Sequence, residues 1–332
     1  MTHRSIAPVI LLFAMIITAA CIPPTPTPTP STPTATPSLT PGATPTDLPP
    51  SKTPTPPTPS PSATPAVTST PTSSTFSHIY VIVMENKSYN NIVGSPDAPY
   101  INSLIANYGL ATNYNAVSHP YEPNYLALFS GSTQGVIDDA NHDFSGQNLA
   151  DQLEAQGKTW KVFAQNVPLD CFKGATANNG EDGPGNYARK HEPAISFTDI
   201  STSPSRCSNI TDFTHFDPAA ADFEFIVPNQ CNDMHDCSVA TGDAFLRDFV
   251  PTILNSPAWQ QGGILFIIWD ESLGVLDSNR VPALVISQAV PKGFQSNVPH
   301  DHYSLLRTVE DAWGLDCLNK SCSANNMNEF FP

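Results

Sequence analysis

Two apolar segments, far apart in the chain, each end abruptly in a pair of polar side chains. Residues 79–84 (IYVIVM) precede Glu85 and Asn86, and residues 264–269 (ILFIIW) precede Asp270 and Glu271. Unbroken apolar runs rich in β-branched residues are typical of strands that are buried on both faces of a parallel sheet. Because open α/β folds keep their sites at the carboxyl edge of the sheet, we expect these four side chains to lie together.

The four side chains offer hard oxygen ligands, which suit a divalent cation such as Mg²⁺, Ca²⁺ or Mn²⁺. One pair of polar residues after a strand is often only a solvated strand end, but two such pairs favour a site. The sequence therefore predicts a metal site formed by Glu85, Asn86, Asp270 and Glu271, and the identity of the metal stays open, with zinc included.

Further strand-like and helix-like segments alternate along residues 147–313. Such alternation predicts an α/β fold with a mostly parallel central sheet and helices on both faces. A helical segment that contains Pro251 is expected to break or kink there. The predicted strands are 159–164, 223–227 and 281–287, and the predicted helices are 147–156, 243–254 and 304–313.

The segment SHPYEPNYLALFSGST (118–133) predicts another helix, over 123–130, with Pro123 at its first position. The start of a helix binds anions through its free N–H groups and dipole, and here His119 and Asn124 flank it. A plain helix cap is an equally good interpretation of this segment. His191, His235 and His302 lie in polar loops, where a histidine is either a structural hydrogen-bonding group or a functional one.

The amino terminus is typical of an export signal. His3 and Arg4 precede a short apolar stretch from Ile6 to about Ile17, which is too short to span a bilayer. Residues 18–21 (TAAC) resemble a bacterial lipobox, which implies cleavage before Cys21 and lipidation of its thiol. Thr18 departs from that pattern, and an ordinary secretory signal with an incidental cysteine is the alternative.

Proline and threonine dominate the segment after Cys21. Residues 22–75 hold 18 of the 35 prolines, and such a stretch cannot bury enough apolar surface to fold. It predicts an extended, semi-stiff stalk. We therefore divide the chain into a lipoprotein signal peptide (1–20), a disordered stalk (21–75) and a catalytic domain (76–332), and we expect a lipoprotein on the outer cell surface.

Charge and cysteine content limit the partners and the compartment. A net charge of −16 excludes a general nucleic-acid binder, and we expect membrane association through the lipid anchor only. Apart from Cys21 the chain has an even number of cysteines, which in an exported protein predicts three disulfides. Many pairings are possible, and the most local choice is Cys231–Cys237 and Cys317–Cys322, which leaves Cys171–Cys207.

Five motifs together resemble the bacterial phosphoesterase family of secreted acid phosphatases and phospholipases C, within the alkaline phosphatase-like superfamily. They span nearly all of 76–332 and occur in the family's order. The motifs are IYVIVMENKSYNNI, HPYEPNYLALFSG, YARKHEP, PNQCNDMHD and IIWDES.

The resemblance implies a role for each matching residue. Glu85, Asn86, Asp270 and Glu271 would hold a divalent metal, and His119, His191 and His235 would surround the phosphoryl group. Asn124, Lys190 and His302 would contact substrate, although Asn124 could instead brace the helix start. At the position of the family's attacking serine this chain has Tyr121, which leaves the nucleophile open between Tyr121 and a metal-bound water.

Three hypotheses for the function follow from these observations. The first is a metal-assisted acid phosphatase that acts on phosphate monoesters of small molecules or of lipids, including phosphoinositides. The second is a phospholipase C-type diesterase. The third is a surface binding protein on a catalytically impaired scaffold, an alternative that Tyr121 keeps open.

Overall fold

The computed structural model describes residues 76–177, 186–274 and 278–332. The predicted signal peptide, the lipidation site Cys21 and the stalk lie outside the described residues. Within the described ranges, no helix has the length and apolar character that a bilayer crossing needs.

The described segments form ten strands and nine α-helices, which alternate over much of their length. The strands are β1 (Ile79–Met84), β2 (Gly109–Ala111), β3 (Tyr114–Asn115), β4 (Trp160–Ala164), β5 (Ile210–Thr211), β6 (Phe223–Val227), β7 (Ile264–Trp269), β8 (Ala283–Ser287), β9 (Phe294–Ser296) and β10 (His300–Asp301). The helices are α1 (Tyr89–Ile92), α2 (Pro99–Asn107), α3 (Glu122–Ser130), α4 (Leu149–Ala155), α5 (Thr198–Ser201), α6 (Pro204–Cys207), α7 (Val239–Leu254), α8 (Pro257–Gln260) and α9 (His302–Trp313).

Eight of these strands form one sheet in the order β5-β4-β6-β1-β7-β8-β2-β9. The five strands from β5 to β7 are parallel, whereas β8 runs antiparallel to both of its neighbours. Every residue of β1, β6, β7 and β8 is buried, so both faces of the central sheet are covered. The predicted α/β class with a mostly parallel sheet is confirmed.

The predicted elements match the observed ones closely, with one difference. The helix around Pro251 begins earlier than predicted, at Val239, and continues through the proline to Leu254, so of the predicted break or kink the break does not occur. Pro251 removes one backbone donor close to the end of α7, where only three residues follow it.

The three predicted disulfides are present. The Cα–Cα distances are 5.0 Å for Cys171–Cys207, 4.7 Å for Cys231–Cys237 and 4.9 Å for Cys317–Cys322. Three disulfides in one domain are typical of a protein that folds in an oxidising compartment, which fits export from the cytoplasm.

Glu224 on β6 is a buried acid away from the strand ends that carry the predicted site. Burial raises the pKa of its carboxyl group to about 8, from an ordinary value of 4.5. The folded protein therefore binds a proton more tightly than the unfolded chain does. This contribution to stability is complete below about pH 4.5 and is lost as the pH rises through 8.

We therefore predict that Glu224→Gln weakens the pH dependence of stability. The free energy of unfolding, measured by denaturant titration at pH 5 and pH 8, should fall less between the two pH values than in wild type. Asp97→Asn, at an exposed loop position, is the matched control. An unchanged difference in Glu224→Gln would contradict the prediction.

Candidate active site

The central pair of strands brings the two predicted polar pairs to one place. Met84 at the end of β1 lies opposite Trp269 at the end of β7, so Glu85 and Asp270 leave neighbouring strands at the same level. The backbone N–H of Asn86 donates to Asp270 Oδ1 at 3.0 Å. Asn86 has a φ of 52°, a left-handed conformation that asparagine tolerates better than most residues.

Four carboxyl groups are buried at this edge of the sheet, and three of them, those of Glu85, Asp233 and Asp270, are almost completely enclosed. Glu85 and Asp270 were predicted, and Asp233 joins them from the loop after β6. Burial raises the pKa of all three well above the usual range, and their mutual repulsion raises it further. Glu85 Oε2, Asp233 Oδ2 and Asp270 Oδ2 have no hydrogen-bond partner in the described part of the chain.

Buried carboxylate oxygens without partners are the chemistry that a hard cation satisfies. Among the described residues, however, no three His, Cys, Asp or Glu side chains are already arranged to hold a metal ion. The donor set thus fits a divalent cation in its chemistry. Side-chain rotation would be needed to complete a coordination shell.

Two of the predicted histidines contact acidic side chains at this edge of the sheet. His119 Nδ1 lies 2.6 Å from Glu271 Oε2. His191 lies between two buried acids, with Nε2 3.3 Å from Glu85 Oε1 and Nδ1 3.5 Å from Asp233 Oδ2. Burial lowers the pKa of His191 well below its usual value, and Lys190 and His235 lower it further.

The third predicted histidine, His235, has its ring 5.8 Å from that of His191. Its Nδ1 lies 2.6 Å from Asp236 Oδ1, which leaves Nε2 to exchange a proton with a ligand. This Nε2 is buried, and no group in the described ranges hydrogen-bonds to it.

Tyr121 caps the start of α3 and faces these groups. Its ring centroid lies 6.0 Å from that of His191 and 5.2 Å from that of His235, and Lys190 Nζ lies 4.7 Å from the ring. Burial raises the pKa of this phenol. The hydrogen bond from Asn86 opposes that shift, and the nearby carboxylates add to it.

Asn124, one of the residues predicted to contact substrate, forms hydrogen bonds with the backbone of its own chain. Asn124 Oδ1 accepts from the backbone N–H groups of Val117 and Ser118, and its amide donates to the Ser118 and Pro120 carbonyls. These bonds favour the bracing role over direct contact with a ligand.

His302 lies behind the carboxylate cluster and is fully buried. Its Nε2 donates to the Asp270 carbonyl at 2.6 Å, and Nδ1 therefore accepts from the Tyr114 hydroxyl at 3.0 Å. Burial lowers its pKa to about 4, consistent with a neutral ring. These contacts position Asp270, and a part for His302 in substrate binding stays a prediction.

Two residues of the site were not singled out from the sequence. Tyr125 donates its hydroxyl to Glu85 Oε1 at 2.5 Å, and its ring stacks on His191 at 5.4 Å. Asp233 was overlooked because an acid in a polar loop normally indicates a solvated turn. Both lie inside motifs quoted above, and Tyr125 is buried together with every other residue of α3.

The fold alone defines a class of protein. The chain matches the crystal structure of a protein in the alkaline phosphatase superfamily from Vibrio parahaemolyticus, with a TM-score of 0.51 and 12% identity over 77% of this chain and 72% of that one. A likeness at this identity establishes the architecture and nothing about the chemistry.

Sequence comparison identifies the family. Residues 94–316 match the Phosphoesterase family. The chain is 35% identical to a phosphatidylinositol-3-phosphatase of Mycobacterium tuberculosis over 73% of this chain and 78% of that protein. It is 28% identical to an acid phosphatase of Aspergillus fumigatus over 75% of this chain and 58% of the fungal one. The chain belongs to the Phosphoesterase family and is a phosphoric ester hydrolase.

Proposed function

We propose that this protein is a metal-assisted phosphatase that hydrolyses phosphate monoesters at the carboxyl edge of its sheet. The observation that carries the proposal is the buried cluster of Glu85, Asp233 and Asp270 beside His191, with Tyr121 across from it. The names of the mycobacterial and fungal relatives support monoester hydrolysis, with a phosphoinositide or a small phosphorylated molecule as substrate.

Glu85, Asn86, Asp270 and Glu271 would hold the divalent cation. When bound, the cation would withdraw electron density from the phosphoryl oxygens and offset the charge of the carboxylates. The unpartnered oxygens of Glu85 and Asp270 support this assignment.

Lys190, His235 and His119 would bind the phosphoryl group of the substrate. Lys190 supplies a positive charge next to Tyr121 that attracts the phosphate dianion. His235 Nε2 is the proton donor for the leaving oxygen, since Asp236 holds the opposite ring nitrogen. His119, fixed by Glu271, lies two residues before Tyr121 and would contact an equatorial oxygen.

Tyr121 would be the nucleophile. Its phenolic oxygen would lose its proton to water and form a bond to phosphorus, while the bond from phosphorus to the leaving oxygen breaks and that oxygen takes a proton from His235. Water would then attack phosphorus and return a proton to His235, while the bond from phosphorus to the phenolic oxygen breaks, phosphate leaves and the phenol regains a proton from water. The raised pKa of Tyr121 means that attack requires a nearby base or the charge of a bound cation.

A single assay series separates the three hypotheses. We expect the purified full chain to hydrolyse p-nitrophenyl phosphate at acidic pH, with activity lost in chelator and restored by a divalent salt. Faster cleavage of bis-p-nitrophenyl phosphate would instead indicate a diesterase. Absence of both activities with retained binding of phosphate would indicate a binding scaffold.

Asp270→Asn tests the carboxylate cluster. We predict loss of hydrolysis by a factor of roughly 10² or more and weaker binding of Mn²⁺ by calorimetry, because a charged ligand becomes a neutral amide of the same shape. Asp248→Asn, on the exposed side of α7, is the control. Wild-type activity in Asp270→Asn would mean that the carboxylates serve the fold alone.

Tyr121→Phe tests the nucleophile. The variant keeps the ring between His191 and His235 and deletes only the oxygen. We predict loss of activity, together with a phosphorylated peptide spanning residue 121 that is trapped by acid quench in wild type and absent from the variant. Full activity in Tyr121→Phe would exclude the covalent route and favour attack by water.

The amino terminus generates a separate prediction, because we propose that the enzyme is anchored to the outer cell surface through Cys21. In Cys21→Ser we expect the protein to move from the membrane fraction to the medium or to stay unprocessed, since the lipidated thiol is gone. Recovery of wild type from the medium with Ala20 and Cys21 still joined would contradict the anchor.

A further inference from the structure

A disulfide-closed loop delivers two functional side chains to the site. Residues 231–237 are bridged by Cys231–Cys237 and carry Asp233 and His235. The loop has its own internal bonds, since the His235 N–H donates to Asp233 Oδ1 at 2.7 Å and the Asp236 N–H donates to the Gln230 carbonyl at 2.8 Å. These bonds fix the shape of the loop but not its position relative to the sheet.

Two hydrogen bonds dock the loop on the residues that follow β1. The Glu85 N–H donates to the Asp233 carbonyl at 2.8 Å, and Lys87 Nζ donates to the Met234 carbonyl at 2.7 Å. The acceptor of the second bond, Met234, has a left-handed backbone with φ 84°, and Asn86, which precedes the donor Lys87, is also left-handed with φ 52°. A bulky residue with positive φ is strained and persists only where the surroundings require it.

The side chain of Met234 shows what holds that conformation. It is fully buried against α7, where a Cβ atom added to Gly242 would lie 2.4 Å from Met234 Cγ. Glycine at 242 therefore admits the methionine side chain, while the Met234 carbonyl is directed to Lys87. Met234, which links Asp233 to His235, is thus held both by the packing of its side chain against α7 and by the bond from Lys87 to its carbonyl.

The charge of Lys87 also matches its surroundings. The ammonium is half-buried and interacts favourably with Asp233, Glu85 and Asp270, of which Asp233 has the strongest effect. An ammonium that donates to a carbonyl while facing acids makes a charge-assisted hydrogen bond, which is stronger than a neutral one. Asp233 in turn lies 3.5 Å from His191 Nδ1, so the position of the loop is passed on to the ring of His191.

We propose that Lys87 is a positioning residue that fixes loop 231–237 on the end of β1 and thereby sets Asp233, His235 and the ring of His191 for catalysis. The proposal rests on the proposed phosphatase function for its kinetic consequence but not for its structural one. In this role Lys87 would act through the loop, by its bond to the Met234 carbonyl, and not by contact with the phosphoryl group.

The test compares Lys87→Met, which keeps the length of the side chain, with Lys87→Arg, which keeps a charged donor. In Lys87→Met we expect kcat for p-nitrophenyl phosphate to fall roughly ten- to a hundredfold, with KM changed by less than about threefold. We expect a smaller loss in Lys87→Arg. Lys292→Met, at an exposed turn, is the matched control and should retain wild-type kcat.

Hydrogen exchange supplies a readout that does not depend on activity. In Lys87→Met the amides of His235 and Asp236 should exchange at least about tenfold faster than in wild type, while the amides of β8 are unchanged. This comparison remains decisive if wild type shows no phosphatase activity, which would refute the proposed function alone. Lys87→Gln, which keeps a donor without charge, replaces Lys87→Met if that variant does not fold.

Three outcomes would overturn the proposal. The first is a kcat within about twofold of wild type in Lys87→Met. The second is a raised KM at unchanged kcat, which would mean that Lys87 binds substrate. The third is unchanged exchange of the His235 and Asp236 amides.

Discussion

The pairing of β1 with β7 is the interaction on which the site depends. Their parallel register ends with Met84 opposite Trp269, and the Asp270 N–H donates to the Met84 carbonyl at 2.9 Å. The next residue of each chain segment is therefore a buried acid, with Glu85 beside Asp270. A shift of either strand by one residue would turn its acid toward the opposite face of the sheet and separate it from the acid of the other strand.

The burial of several acids at the carboxyl edge of the sheet limits how this edge can bind an anionic substrate. Carboxylates in a low-dielectric environment repel one another and resist ionisation, and the direction of the pKa shifts of Glu85, Asp233 and Asp270 follows from this. Lys87 and Lys190 are the lysines that face them, and a phosphate dianion would add negative charge. A site of this composition would bind a phosphate dianion best with an added cation, with proton uptake or with both.

Sequence reasoning was most successful where one physical rule acts alone. Apolar runs predicted the central strands, and the rule that sites lie at the carboxyl ends of parallel strands predicted that Glu85 and Asp270 lie close together. The sequence did not predict the role of Asp233, because a polar loop carries no periodic pattern. Asp233 is buried where its carbonyl accepts a hydrogen bond from the Glu85 N–H, a contact between residues far apart in the sequence.

The environment of Tyr121 explains how this chain accommodates a tyrosine where the family resemblance implies a serine. The ring fills the space bounded by His191, His235 and the ammonium of Lys190, so its bulk is part of the packing of the site. A serine at this position would remove those ring contacts and leave the two imidazoles less constrained. The phenolic oxygen, hydrogen-bonded to Asn86, also lies further from the helix backbone than a seryl oxygen would. In the proposed mechanism the reacting phosphorus would therefore lie closer to the residues that follow β1 than to the helix start, and the amide of Asn86 would align the phenol for attack.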